Sequence, residues 1–121
     1  MATNEVTKDN FAEIVEQHPF VVLDFWAEWC APCRRFTPIF ERASDRHGDV
    51  YFGKVDTEAE REMQAAFEIR SIPTLMVIRE GTVVHMQPGM LSGDQLDQLL
   101  NQARGLDMDE VRAEVAAQQS S

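Results

Sequence analysis

The sequence predicts an α/β domain, in which strands alternate with amphipathic helices along a chain of 121 residues. Three observations predict it. Phe20 to Trp26 is a short, β-rich and nearly continuous apolar run, the pattern of a strand covered on both faces. Apolar residues then recur at helical spacing, at Phe36, Ile39, Phe40 and Ala43 and again at Leu96, Leu99, Leu100 and Ala103. Finally, two apolar runs, Thr74 to Ile78 and Thr82 to Met86, flank a turn at Glu80-Gly81 and make an antiparallel hairpin.

The remaining elements follow in chain order. Met1 to Glu5 is polar and weakly patterned, which predicts a ragged start or a very short edge strand. Thr7 is placed to cap a helix from Lys8 to Gln17, with Val6 packing on Phe11 across the cap. Phe11, Ile14, Val15 and His18 share one face of it, and His18 reads as a helix-end histidine with no catalytic task. The helix after Cys33 has Arg46 near its end and Gly48 as a stop. Pro38 lies inside it and removes the hydrogen bond to the Arg34 carbonyl, which predicts a kink.

Val50 to Val55 reads as a second strand, and Thr57-Glu58-Ala59-Glu60 as a capping box opening a helix that packs Met63, Ala66 and Phe67. Pro88-Gly89 forms a loop in which glycine lets a partner's backbone come close. Ser92 and Gln95 form another capping box, and Gly105 ends that helix. Asp107 to Ala117 is a short extra helix with Asp107 and Glu110 as its cap and Met108, Val111 and Val115 as a thin stripe. A stripe that thin either packs on its own domain or frays, or it docks a partner. The organisation is one domain over 1–105 and a helical extension or tail over 106–121, with no internal repeat.

Chemistry concentrates in Phe25-Trp26-Ala27-Glu28-Trp29-Cys30-Ala31-Pro32-Cys33, which holds the only two cysteines. Two thiols three apart, where a strand ends and a helix begins, can close a disulfide with little movement and reopen it when a third thiol attacks. A Cys at the first helical turn sits among unpaired backbone N–H groups whose dipole favours an anion, so Cys30 is the exposed nucleophile. Cys33, one turn further in and more covered, is the resolving thiol. The rival readings are a structural pair or half of a zinc site. Zinc needs a second cysteine pair or closely spaced histidines, and His18, His47 and His85 are scattered. Asp24 interrupts the buried strand: ionised and unpaired it would cost several kcal/mol, so it holds a proton, finds a cation or reaches solvent. Arg34 and Arg35 either favour the thiolate by charge or are solvated helix residues.

Composition bounds the partners. A formal charge of -10 disfavours nucleic acid and anionic membranes. No apolar run approaches the roughly 20 residues of a membrane span, and Met1 to Lys8 lacks the pattern of a secretory signal, so a cytoplasmic location is expected. In a reducing compartment a lone cysteine pair reads as catalytic. The six glycines contain no dinucleotide fingerprint, so electrons must come from a partner.

Phe25 to Cys33, Ile72-Pro73-Thr74 and Pro88-Gly89 resemble thioredoxin, and the resemblance runs from about Val6 to Arg104. Pro38 to Glu41, Thr57 to Glu62 and Ile69 to Thr74 are most similar to the second bacterial thioredoxin sub-type, whose usual four-cysteine zinc segment these 121 residues lack. The resemblance implies the thioredoxin fold, a central mixed sheet flanked by helices on both faces. It implies protein-disulfide reduction with the Cys30–Cys33 disulfide as the redox-active group and no bound cofactor. Thioredoxin is itself the reference case for an acidified nucleophilic thiol, at a pKa of about 7 against roughly 8.5 for free cysteine, a magnitude taken from the family.

By the same resemblance Asp24 is a buried acid behind Cys33 that takes its proton, with Lys54 as charge neighbour. Ile72-Pro73 is cis and faces Cys30, and Pro38 bends its helix. The implied partners are disulfide-containing client proteins and an NADPH-dependent thioredoxin reductase, with the protein itself a monomer. The three loops would bring Trp29, Ala31, Pro32, Ile72, Pro73, Gly89 and Met90 into one apolar docking patch, with Trp26 packing beneath the active turn. Ala31 departs from the family's usual glycine; even the full helix-propensity difference would move a two-electron potential by only ~20 mV. A client-specific oxidoreductase or isomerase, and a non-redox binding or chaperone subunit, are the alternatives.

Overall fold

In the computed structural model, which describes residues 3–120, the chain runs β1 (Thr3–Glu5), α1 (Phe11–Gln17), β2 (Phe20–Trp26), α2 (Ala31–Arg46), β3 (Tyr51–Asp56), α3 (Arg61–Ala66), β4 (Thr74–Arg79), β5 (Thr82–Pro88), α4 (Gly93–Arg104) and α5 (Met108–Gln119). The sheet order is β1-β3-β2-β4-β5. β1 and β2 flank β3 in parallel, whereas β4 is antiparallel to both β2 and β5, so the sheet is mixed. The parallel step from β2 to β3 uses α2 as its crossover. The antiparallel step from β4 to β5 uses the turn at Glu80-Gly81, where both residues have positive φ, 49° and 80°, as a tight two-residue hairpin turn requires.

β2 decides the two faces, because successive side chains of a strand point to opposite sides. Phe20 and Val22 pack with Phe36, Phe40 and Ala43 of α2 and with Leu96, Leu100 and Ala103 of α4. Val21, Leu23 and Phe25 pack on the other side with Ile14 of α1 and Met63 of α3. Helices therefore cover both faces, which explains why β2 reads as one apolar run. Asp24 falls on the α2 and α4 side by the same alternation and is 0% exposed. Lys54 is its neighbour across the β2/β3 ladder.

Local chemistry departs from the simplest capping patterns at two helices. α1 begins at Phe11 rather than Lys8. Thr7 Oγ1 accepts the Asp9 N–H at 3.2 Å and Asn10 Oδ1 accepts the Thr7 N–H at 2.8 Å, so both polar groups are used in a turn before the helix. α3 begins at Arg61, because the Thr57 hydroxyl donates to the Trp26 carbonyl at 3.1 Å instead of capping, and Phe67 closes the helix. The Ser92–Gln95 capping box forms reciprocally, at 3.1 and 2.9 Å. α2 runs across Pro38 as a single helix.

The extra helix α5 is capped by Asp107, whose Oδ1 accepts the N–H groups of Asp109 and Glu110 at 3.0 and 3.3 Å. Only its first turn is buried, at Met108, and Arg112 ties it to Glu80 at 3.0 Å. The helix thus packs on its own domain at the β4–β5 turn. Of the first five residues, Thr3–Glu5 form a short edge strand, while Met1 and Ala2 lie outside the described residues.

Candidate active site

Cys30 is the N-cap of α2, and its Sγ accepts the N–H of Cys33 at 3.2 Å. An orphan helix amide therefore points at the sulfur. Pro32 occupies the first turn, where a missing N–H costs nothing. The two cysteines are joined in a disulfide with Cα atoms 5.2 Å apart, so the structure is the oxidised form. Cys30 is less exposed than its expected role as nucleophile suggested. It is 4% exposed and Cys33 0%, so attack comes through the small opening at Cys30. Burial follows from packing: Ala27, Cys30 and Cys33 form a small cluster against Trp26 and Ile72, with Trp26 half-buried beneath the turn.

That opening is a groove of about 420 Å³ in which Cys30 is flanked by Trp29, Ala31, Pro32 and Ile72. The Ile72-Pro73 bond is cis, and the Ile72 carbonyl oxygen lies 3.7 Å from Cys30 Sγ. Trp29 is 67% exposed, so it is not a core aromatic. Gly89, at φ 89°, is held in the left-handed region that favours glycine and donates its N–H to the Pro73 carbonyl at 2.8 Å. Pro73, Gly89 and Met90 do not line the groove itself, and Met90 is 41% exposed.

The groove also contains Thr57, Glu58, Gln64, Arg70 and Ser71, which the sequence reading did not place in the site. Glu58 takes part in it: its Oε1 accepts the Trp29 indole N–H at 3.0 Å and its Oε2 accepts from Arg61 at 3.1 Å. Arg34 folds back to donate to the Glu28 carbonyl at 2.6 Å, and Arg35 is exposed. Both arginines follow the disulfide along α2.

On the α2 face of β2, neither carboxylate oxygen of Asp24 has a hydrogen-bond partner. Burial pushes the Asp24 carboxyl up to about 7, against a smaller downward pull from Lys54. Lys54 does not bond to it. Its Nζ donates to Thr37 Oγ1 at 3.2 Å and sits 4.5 Å from the centre of the Trp26 ring. Among the described residues no three His, Cys, Asp or Glu side chains are grouped so as to hold a metal ion.

The comparisons agree with this geometry. The family model described as Thioredoxin matches residues 2–102. A Streptomyces coelicolor protein named "Putative thioredoxin 2" is 53% identical over 119 residues, covering 98% of this chain and 89% of that one. Thioredoxin C-3 of Corynebacterium nephridii is 38% identical over 99 residues, covering 81% of this chain and 68% of its own. Among solved structures, Plasmodium falciparum thioredoxin superposes with a TM-score of 0.77 at 34% identity, covering 82% of this chain and 97% of that chain. A cysteine capping the helix start, a second sulfur bonded to it and a matching family model lead to one conclusion: the chain belongs to the thioredoxin family and is a protein-disulfide oxidoreductase exchanging thiols for disulfides through Cys30-Ala31-Pro32-Cys33.

Proposed function

We propose that the protein is a cytoplasmic, monomeric reductase for a range of disulfide-bearing client proteins, and that Cys30, Cys33, Asp24 and Lys54 carry the reaction. The Cys30 thiolate attacks a client disulfide, forming a mixed disulfide and releasing one client thiolate. Cys33 gives its proton to Asp24 and attacks the Cys30 sulfur, which closes the intramolecular disulfide and releases the second client thiolate. The client gains two electrons and this protein loses two. An NADPH-dependent thioredoxin reductase, the partner the family implies, returns them.

The observation that carries this reading is the Cys33 N–H aimed at Cys30 Sγ from 3.2 Å, because the same contact stabilises an anionic sulfur once the disulfide opens. A proton acceptor near neutral pH is supported by the raised Asp24 carboxyl. Client docking on the Trp29, Ala31, Pro32, Ile72, Pro73, Gly89 and Met90 loops is supported by the exposed Trp29 and Met90 and by the Gly89–Pro73 bond that joins two of those loops. The cytoplasm is supported by a lone, reactive cysteine pair.

Insulin turbidity with dithiothreitol, comparing the parent with Cys30→Ser, tests the function. The parent should accelerate precipitation and the variant should not. Equal behaviour of the two would leave only a binding module that uses the same apolar loops.

A further inference from the structure

Lys54 extends past a buried, unpaired carboxyl to bond elsewhere. Asp24 and Lys54 are paired residues on adjacent parallel strands, with side chains on the same face of the sheet. A lysine in that position next to a desolvated acid would be expected to bond to it, since an ion pair is the cheapest way to keep a buried carboxylate charged. Yet both Asp24 oxygens lack a partner. The ammonium is held instead between the Thr37 hydroxyl, at 3.2 Å, and the face of Trp26, at 4.5 Å.

The Thr37 hydroxyl is itself oriented. It donates its one proton to the Cys33 carbonyl at 3.1 Å, one turn back in α2, so its lone pairs are left to accept from Lys54. We propose that Thr37 is a positioning residue that tethers Lys54 away from Asp24, and that this tether keeps Asp24 without an ion-pair partner. The tether runs from the Cys33 backbone through Thr37 to Lys54, so it ties the resolving cysteine to the cation that acts on its proton acceptor.

The surroundings leave Lys54 as the charge that matters. Opposite Asp24, β4 presents Leu75 and carries no charge before Arg79; on α2, Arg34 and Arg35 are exposed; Asp56, at the end of β3, is half-buried. Only Lys54 exerts a resolved pull on the carboxyl. Removing the tether frees the ammonium to approach a carboxyl with two unused acceptors. The attraction between opposite charges rises steeply as they close to contact in a poorly solvated site. The carboxylate form of Asp24 would then be favoured, and its titration would move toward lower pH.

The inference rests on Asp24 as the proton acceptor, and its test is chosen so that the two can fail separately. The Asp24 carboxyl carbon is followed by NMR across pH 4 to 9 (roughly the span between free and fully shifted values) in the oxidised parent, Thr37→Val and Thr37→Ser. Thr37→Val keeps the shape and loses the hydroxyl; Thr37→Ser keeps the hydroxyl. The midpoint should fall by about one pH unit or more in Thr37→Val and stay near the parent's in Thr37→Ser. An unchanged or higher midpoint in Thr37→Val, or equal shifts in both variants, overturns the tether. The pH profile of mixed-disulfide resolution, measured beside it, should move with the midpoint. If resolution ignored pH in the parent and in Asp24→Asn alike, the proton-acceptor role would fail while the NMR result still judged the tether.

Discussion

The indole N–H of Trp29 donates to Glu58 Oε1 at 3.0 Å, and the other Glu58 oxygen is held by Arg61 at 3.1 Å. An aromatic ring that is mostly in solvent is thereby fixed at the rim of the groove containing Cys30. A pre-ordered ring loses less rotational freedom when a client covers it. Glu58→Ala should raise KM for a protein disulfide by about three- to tenfold, the equivalent of ~0.6–1.4 kcal/mol, the range of one exposed hydrogen bond. Reduction of a small disulfide that does not cover Trp29 should change less than twofold, about the noise of such assays. Equal loss with both substrates would show that Glu58 acts on the cysteines instead.

Asp24 makes stability depend on pH with a definite sign. Its carboxyl is raised from 3.8 to about 7 by burial, opposed by Lys54. An acid raised on folding binds a proton more tightly in the native state, so stability falls as pH climbs from the unfolded value to the folded one. Below 3.8 Asp24 contributes no penalty, and above 7 the penalty is complete, about 4 kcal/mol for a shift of this size. Asp24→Asn should therefore be more stable than the parent at pH 8, with the gap closing toward pH 4 in urea denaturation. A gap that stayed constant with pH would mean that Asp24 ionises as readily in the native protein as in the unfolded chain.

Gly53 marks a close approach inside the sheet. A Cβ there would lie 2.5 Å from Val6 Cγ2 and 2.8 Å from Leu23 Cδ2, two fully buried side chains. Gly53→Ala should cost about 1–3 kcal/mol, the usual range for overpacking. Gly48, with nothing within 4 Å of its added Cβ, is the control. Gly48→Ala should change the denaturation midpoint little, and similar losses at both sites would count against the packing account.

Met108 is the buried residue of α5, and Arg112 of the same helix bonds to Glu80 at the end of β4 away from Ile72-Pro73. Met108→Ala should release the helix at a cost near the low end for such truncations, about 2 kcal/mol, because the helix can detach rather than leave a cavity. Far-ultraviolet circular dichroism should show the lost helix while insulin reduction stays within about twofold of the parent, below the effect of a single direct contact. A larger fall in turnover would place α5 in the reaction.

Much of this protein is legible in residue order, because the relevant forces are local or periodic. The spacing of Cys30 and Cys33 places one sulfur at a helix cap and the other a turn inside it, and the β2 run announces a strand covered twice. Ser92 and Gln95 cap as their types dictate. The misassigned caps share a cause. Thr57 and Glu60 form the capping pattern, but the fold offers them the Trp26 carbonyl and the Lys8 N–H, 31 and 52 residues away, and those bonds form in place of the cap.

What the linear order determined, then, was the sulfur pair, the helix that receives it and the apolar strand that carries Asp24. What only three-dimensional packing decided was which polar groups meet: Glu58 on Trp29, Gly89 on Pro73, and Lys54 on Thr37 rather than on its neighbour across the ladder. Hydrogen bonds between distant residues depend on where the backbone delivers each donor and acceptor, and no pattern of neighbours along the chain encodes that position.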